Sequence, residues 1–283
     1  MRIRVTAAAV FVAGAIAGVL FEHYIGSAKL LEWSGVRPAL LHQARATHGR
    51  TEVSFEALRA KRTLVVLAFG QSNAANGGET PGPEHTAVYE FYRGRLYRAR
   101  DPLLGADGEG GSIWLRLAAK AVESGSYDTV VLVPFAVSAS EIARWAPQGN
   151  LHAALIATIV QAQRSGLHFT HLLWQQGEAD AQQHTGEAEY RKHFLAMLAA
   201  IRRQGVDAPI YVARATRCDK IRASEALRRA QAGLHDPAAG IRAGPDTDTL
   251  GFAERYDGCH FSVEGLEKAA DLWWDAVRPR QGR

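Results

Sequence analysis

An unbroken apolar run, Leu64-Val65-Val66-Leu67-Ala68-Phe69, is followed at once by Gly70-Gln71-Ser72-Asn73. A strand without polar alternation needs cover on both faces, the condition inside a parallel sheet flanked by helices. Similar runs recur at Thr129 to Pro134, Phe169 to Trp174 and Ile210 to Ala215. Helical patterns lie between them, at about Ser112 to Glu123, Asn150 to Arg164, Glu187 to Gln204 and Asp219 to Leu234, with a last one at Ser262 to Val277. This alternation predicts an α/β fold in which helices wrap both faces of an open, mostly parallel sheet through right-handed crossovers. Val88 to Arg100 reads instead as a small hairpin turning at Arg93-Gly94.

The chain opens with two arginines, Arg2 and Arg4, and then runs from Val5 to Phe21 with no charge and no proline. That is the pattern of an export signal. As a helix the run reaches about 25 Å, a little short of a hydrocarbon core of about 30 Å. Ala15-Ile16-Ala17 offers a cleavage site, but the apolar run continues past it, which favours an uncleaved anchor at 1–21. Positive residues before the span put the N-terminus in the cytoplasm and the remainder outside, either at the periplasmic face of the membrane or, if cleaved, free in the periplasm. Residues 22–62 are polar and mixed and read as a stalk or packing arm, leaving 63–283 as one domain.

The formal charge of +4 includes Arg2 and Arg4, so the exported part is close to balance and carries no electrostatic case for nucleic acid. In an oxidising compartment the two cysteines, Cys218 and Cys259, have the opportunity to bridge, although sequence alone does not fix their separation. No His or Cys cluster has metal-site spacing, so neither a metal nor another cofactor is expected.

Polar chemistry gathers just beyond the strand ends, where ligands bind in such sheets. Ser72 follows the first run on a sharp turn, a place that presents a hydroxyl and aims a backbone N–H at a developing oxyanion. Gly110-Gly111-Ser112 leads into a helix and contributes N–H groups at its positive end. Trp174-Gln175-Gln176-Gly177-Glu178-Ala179-Asp180 directly follows another run. Asp257 stands three residues before His260, a spacing that lets a carboxylate hold Nδ1 and leave Nε2 for a nucleophile. Each motif alone has an ordinary reading: a serine capping a helix, a glycine loop closing on itself, a polar turn.

Together, and in this order, they resemble the Ser-Gly-Asn-His hydrolases, in the branch of sialate O-acetylesterases and acetylxylan esterases. Gly70 to Asn73 is similar to that branch's first block, Gly111-Ser112 to its second, Trp174 to Asp180 to its third and Asp257 to His260 to its last, over about residues 63 to 278. The resemblance implies a flavodoxin-like three-layer αβα fold and an acyl-enzyme mechanism on an acetylated carbohydrate. Ser72 is then the nucleophile, His260 the base and Asp257 its acid partner, with Glu178 as the rival partner. N–H groups of Ser72, Gly111 and Gln176 form the oxyanion hole, with Gln176 in place of the family's Asn. Gln71, Asn73 and Trp145 are candidate substrate contacts, core or rim packing being the equal alternative for Trp145.

Ser138-Ala139-Ser140 departs from the branch's Gly-Gly-Thr turn and leaves the acyl or sugar pocket open. Transfer of the acyl group to a sugar, or glycan binding without catalysis, remains the alternative to hydrolysis. His152, His168, His171, His184 and His193 read as surface or packing histidines, and Trp273-Trp274 as one ring in the core and one partly out.

Overall fold

The computed structural model describes residues 43–218 and 223–279. The leader, and the arm up to residue 42, lie outside the described residues. Among the described residues no helix is long and apolar enough to cross a membrane.

Among the described residues eight strands form one sheet: β1 (Glu52–Val53), β2 (Thr63–Gly70), β3 (Val88–Tyr92), β4 (Arg95–Arg98), β5 (Thr129–Ala136), β6 (His171–Gln175), β7 (Ile210–Arg214) and β8 (Ile241–Asp246). Their spatial order is β1-β4-β3-β5-β2-β6-β7-β8, parallel from β3 through β8 and antiparallel where β4 pairs with β3 and β1. The hairpin turns at Arg93 and Gly94, both at positive φ, as a tight two-residue loop requires.

Among the described residues six α-helices cover the sheet: α1 (Ile113–Glu123), α2 (His152–Arg164), α3 (Glu178–Gln182), α4 (Glu187–Arg202), α5 (Glu225–Ala232) and α6 (Val263–Val277). The side-chain alternation of β2 explains the need for two covering layers. Leu64, Val66 and Ala68 face α1 and α6, in a core that includes Trp114 and Trp273 with ring centres 5.2 Å apart. On the opposite face Phe69 meets Trp145 and Trp174, and Trp174 in turn meets Phe194 of α4. The fold is the three-layer αβα arrangement with a mostly parallel sheet.

Two strands exceed what apolar runs reveal. β8 carries Gly244 and Pro245 and lies at the sheet edge, where a residue without an N–H is tolerated. β1, only two residues long, brings residues 43–62 onto the sheet edge opposite β8, and Arg50 reaches inward to the buried carboxylate of Glu90. Within this arm Phe55–Leu58 forms a single 3₁₀ turn.

Candidate active site

β2 lies between β5 and β6, and all three end in register: Gly70 pairs with both Ala136 and Gln175. The loops that follow therefore leave the same edge of the sheet. Gly70 has φ +139°, and a Cβ there would lie 2.0 Å from the carbonyl oxygen of Gln175, so only glycine lets β2 turn away this close to its neighbour. The turn that results is one 3₁₀ turn, Ser72–Ala74, in which Ala74 N–H bonds to the Gln71 carbonyl. The N–H groups of Ser72 and Asn73 open this turn and have no acceptor within it.

His260 comes from the loop before α6. Its Nδ1 lies 2.6 Å from Asp257 Oδ2, while Asp257 Oδ1 accepts the backbone N–H groups of Cys259 at 2.9 Å and His260 at 2.7 Å. Burial opposes ionisation of Asp257, but these hydrogen bonds outweigh it and hold the carboxyl below the usual carboxylate range. With Nδ1 engaged, Nε2 is the ring nitrogen left for other chemistry.

The two loops meet across Gly77. A Cβ on Gly77 would lie 2.6 Å from the Ser72 carbonyl oxygen and 3.0 Å from His260 Cδ2, so the nucleophile turn and the imidazole rest against the same α-carbon. A second tie runs beneath them: Asn73 Nδ2 donates to the Cys259 carbonyl at 3.3 Å and to Glu178 Oε1 at 2.8 Å. Cys259 is also bonded to Cys218 in a disulfide, beyond the end of β7, and its carbonyl accepts from the buried guanidinium of Arg255.

Residues 62–277 match the family model described as carbohydrate esterase, sialic acid-specific acetylesterase. The chain belongs to this esterase family. No curated protein sequence matches the esterase. Among solved structures, a protein from Arabidopsis thaliana is similar at TM-score 0.63 and 16% identity, over 76% of the esterase and 97% of that chain. NanS is similar at TM-score 0.56 and 17% identity, over 76% and 96%. A carbohydrate acetylesterase from Xanthomonas citri is similar at TM-score 0.50 and 17% identity, over 76% of the esterase and 55% of that chain. At such identities these three speak for the fold.

Several expected roles in the esterase are corrected by the hydrogen bonds. Gln176 is fully buried, and its amide donates to the Ser140 carbonyl at 2.9 Å and to Asp180 Oδ2, so it has no N–H to offer an oxyanion. Gly111 N–H bonds to the Gly78 carbonyl at 3.0 Å in a two-residue bridge and is likewise spent. Of the three expected donors, Ser72 N–H alone opens a turn without an acceptor inside it. Gln71 is a buried clasp rather than a substrate contact: its Oε1 accepts from Ala179 N–H at 3.1 Å and Gly177 N–H at 3.3 Å, at the start of α3. Asn73 is buried between Glu178 and Cys259, and Trp145 is buried among Phe69, Phe135 and Trp174 with Nε1 on Ser140 Oγ at 3.1 Å.

Glu178, the rival acid partner, is held by Asn73 rather than by the imidazole. Complete burial pushes its carboxyl up to about 7 against the hydrogen bond from Asn73. The third block is therefore scaffold: Gln231 and Tyr190 both donate to the Gln176 carbonyl, and Asp180 accepts Ile142 N–H at 2.9 Å. Ala139, in the turn that departs from Gly-Gly-Thr, adopts φ +50°, the conformation glycine takes without strain. Arg255 escapes a reading by motif because a lone charged residue in a polar stretch does not announce its burial.

Proposed function

We propose that the protein is an extracytoplasmic serine esterase that removes O-acetyl groups from carbohydrate through a Ser72, His260, Asp257 triad. The observation that carries this reading is the 2.6 Å contact between Asp257 and His260 Nδ1, in a loop packed on the same glycine as the Ser72 turn. Family membership and the acetylesterase named among similar structures support the acetylated sugar as substrate.

In this mechanism Ser72 Oγ attacks the acetyl carbonyl carbon while His260 Nε2 takes the hydroxyl proton. Asp257 keeps the imidazole in the tautomer that accepts at Nε2 and stabilises the imidazolium that forms. The negative charge on the carbonyl oxygen is met by the N–H groups that open the Ser72 turn. The imidazolium then returns its proton to the sugar oxygen as the C–O bond breaks, freeing the sugar hydroxyl and leaving acetyl on Ser72. Water, deprotonated by His260, releases acetate by the same steps in reverse roles.

The leader-like run from Val5 to Phe21 and the disulfide between Cys218 and Cys259 support a location outside the cytoplasm, at the periplasmic face of the membrane or free in the periplasm. The test is acetate release from a panel of O-acetylated methyl glycosides by wild type and Ser72→Ala. Release by wild type and none by the variant supports the reading, and equal release by both overturns it.

A further inference from the structure

Of the large apolar side chains left exposed among the described residues, Leu195 lies on α4, and Phe252, Tyr256 and Val263 lie in the stretch of chain that carries His260. Trp114, Trp145, Trp174 and Trp273 are fully buried, whereas Tyr256, four residues before His260, leaves 51% of its surface to solvent. Phe252 and Val263, on either side in the chain, are exposed as well, and of the three it is Tyr256 whose ring lies beside the histidine. A large aromatic side chain left open beside reacting groups is placed to meet whatever binds there.

Tyr256 also reaches back to the site. Its hydroxyl donates to the Gly77 carbonyl at 3.4 Å, and its ring centre lies 6.2 Å from that of His260, the two planes tilted by 30°. Gly77 is the residue against which both the Ser72 turn and the imidazole rest. The phenol thus borders the reacting groups with about half of its surface open to a ligand.

We propose that Tyr256 is the platform on which the pyranose ring of the acetylated sugar stacks while its ester lies at Ser72. This rests on the esterase reading above and names the residue that makes a sugar ester preferable to any other acetate. The electron-rich face of an aromatic ring attracts the weakly positive C–H groups that line one side of a pyranose. The sugar's hydroxyls stay in water on the ring's far side, because the platform is open and half exposed. A simple alkyl acetate has no ring to stack, so it reports the reaction centre without the platform.

The experiment compares kcat/KM on the fastest-cleaved member of the panel of O-acetylated methyl glycosides with kcat/KM on ethyl acetate, in wild type, Tyr256→Ala, Tyr256→Phe and Ser72→Ala. The expected result is that the sugar-to-alkyl ratio falls about tenfold in Tyr256→Ala, the scale of one ring contact, and returns toward wild type in Tyr256→Phe. An unchanged ratio in Tyr256→Ala overturns the proposal. Equal loss on both substrates overturns it too, because it marks a role in placing His260 instead. Failure of the esterase reading is separate: there Ser72→Ala keeps its activity whatever happens at Tyr256.

Discussion

Asn73, the residue after the candidate nucleophile, donates its amide to the buried Glu178 carboxylate at 2.8 Å, while Asp257 takes the Nδ1 side of His260. The two carboxylates that compete on paper for one imidazole thus have separate work, one in the scaffold and one on the histidine.

That division predicts unequal substitutions. Asp257→Asn keeps the shape but no longer selects the tautomer, and kcat for acetate release falls about 10³–10⁴-fold. Glu178→Gln still accepts from Asn73 and loses no more than about tenfold. Steady-state kinetics on one sugar acetate separates the two.

Glu178 and Glu90 both have carboxyls raised to about 7, by burial first, so the folded protein holds protons there that the unfolded chain releases near the usual 4.5. Stability from these groups is complete below the unfolded value and is lost as pH rises toward about 7, with a slope of up to about 1.4 kcal/mol per pH unit for each group. Urea unfolding between pH 4.5 and 8 is expected to show this decline, flatter in Glu178→Gln.

Much of the fold is legible in the sequence, because a continuous apolar run such as Leu64 to Phe69 demands cover on both faces wherever it occurs. β8 is not: Ile241–Asp246 holds Gly244 and Pro245 and survives by its edge position, a tertiary circumstance. In the site, the Asp257 to His260 pairing is local and readable by spacing. The commitments of Gln176 and Gly111 are not, since their partners Ser140 and Gly78 are distant in the chain and an amide looks the same whether free or spent.

Gln176→Leu is therefore a stability variant first. It leaves Asp180 and the Ser140 carbonyl short of a donor in the interior, at a cost of about 3 kcal/mol. Thermal unfolding is expected several degrees lower, with kcat of the folded fraction reduced far less than in Asp257→Asn.

The disulfide closes a sequence separation of 41 residues, worth about 4 kcal/mol in the loop-entropy account. It also ends one residue short of His260. Reduction, or Cys218→Ser, is expected to lower both the unfolding midpoint and kcat, and reoxidation of the reduced protein to restore both.

The central claim is that Ser72 is the nucleophile and that its reactivity depends on His260. Labelling with a fluorophosphonate, followed by peptide mass spectrometry, tests this directly. The account predicts one adduct, on Ser72, with acetate release lost in proportion to labelling and with labelling absent in His260→Ala. Full activity after complete labelling, or an adduct on a residue other than Ser72 that tracks the loss, would contradict it.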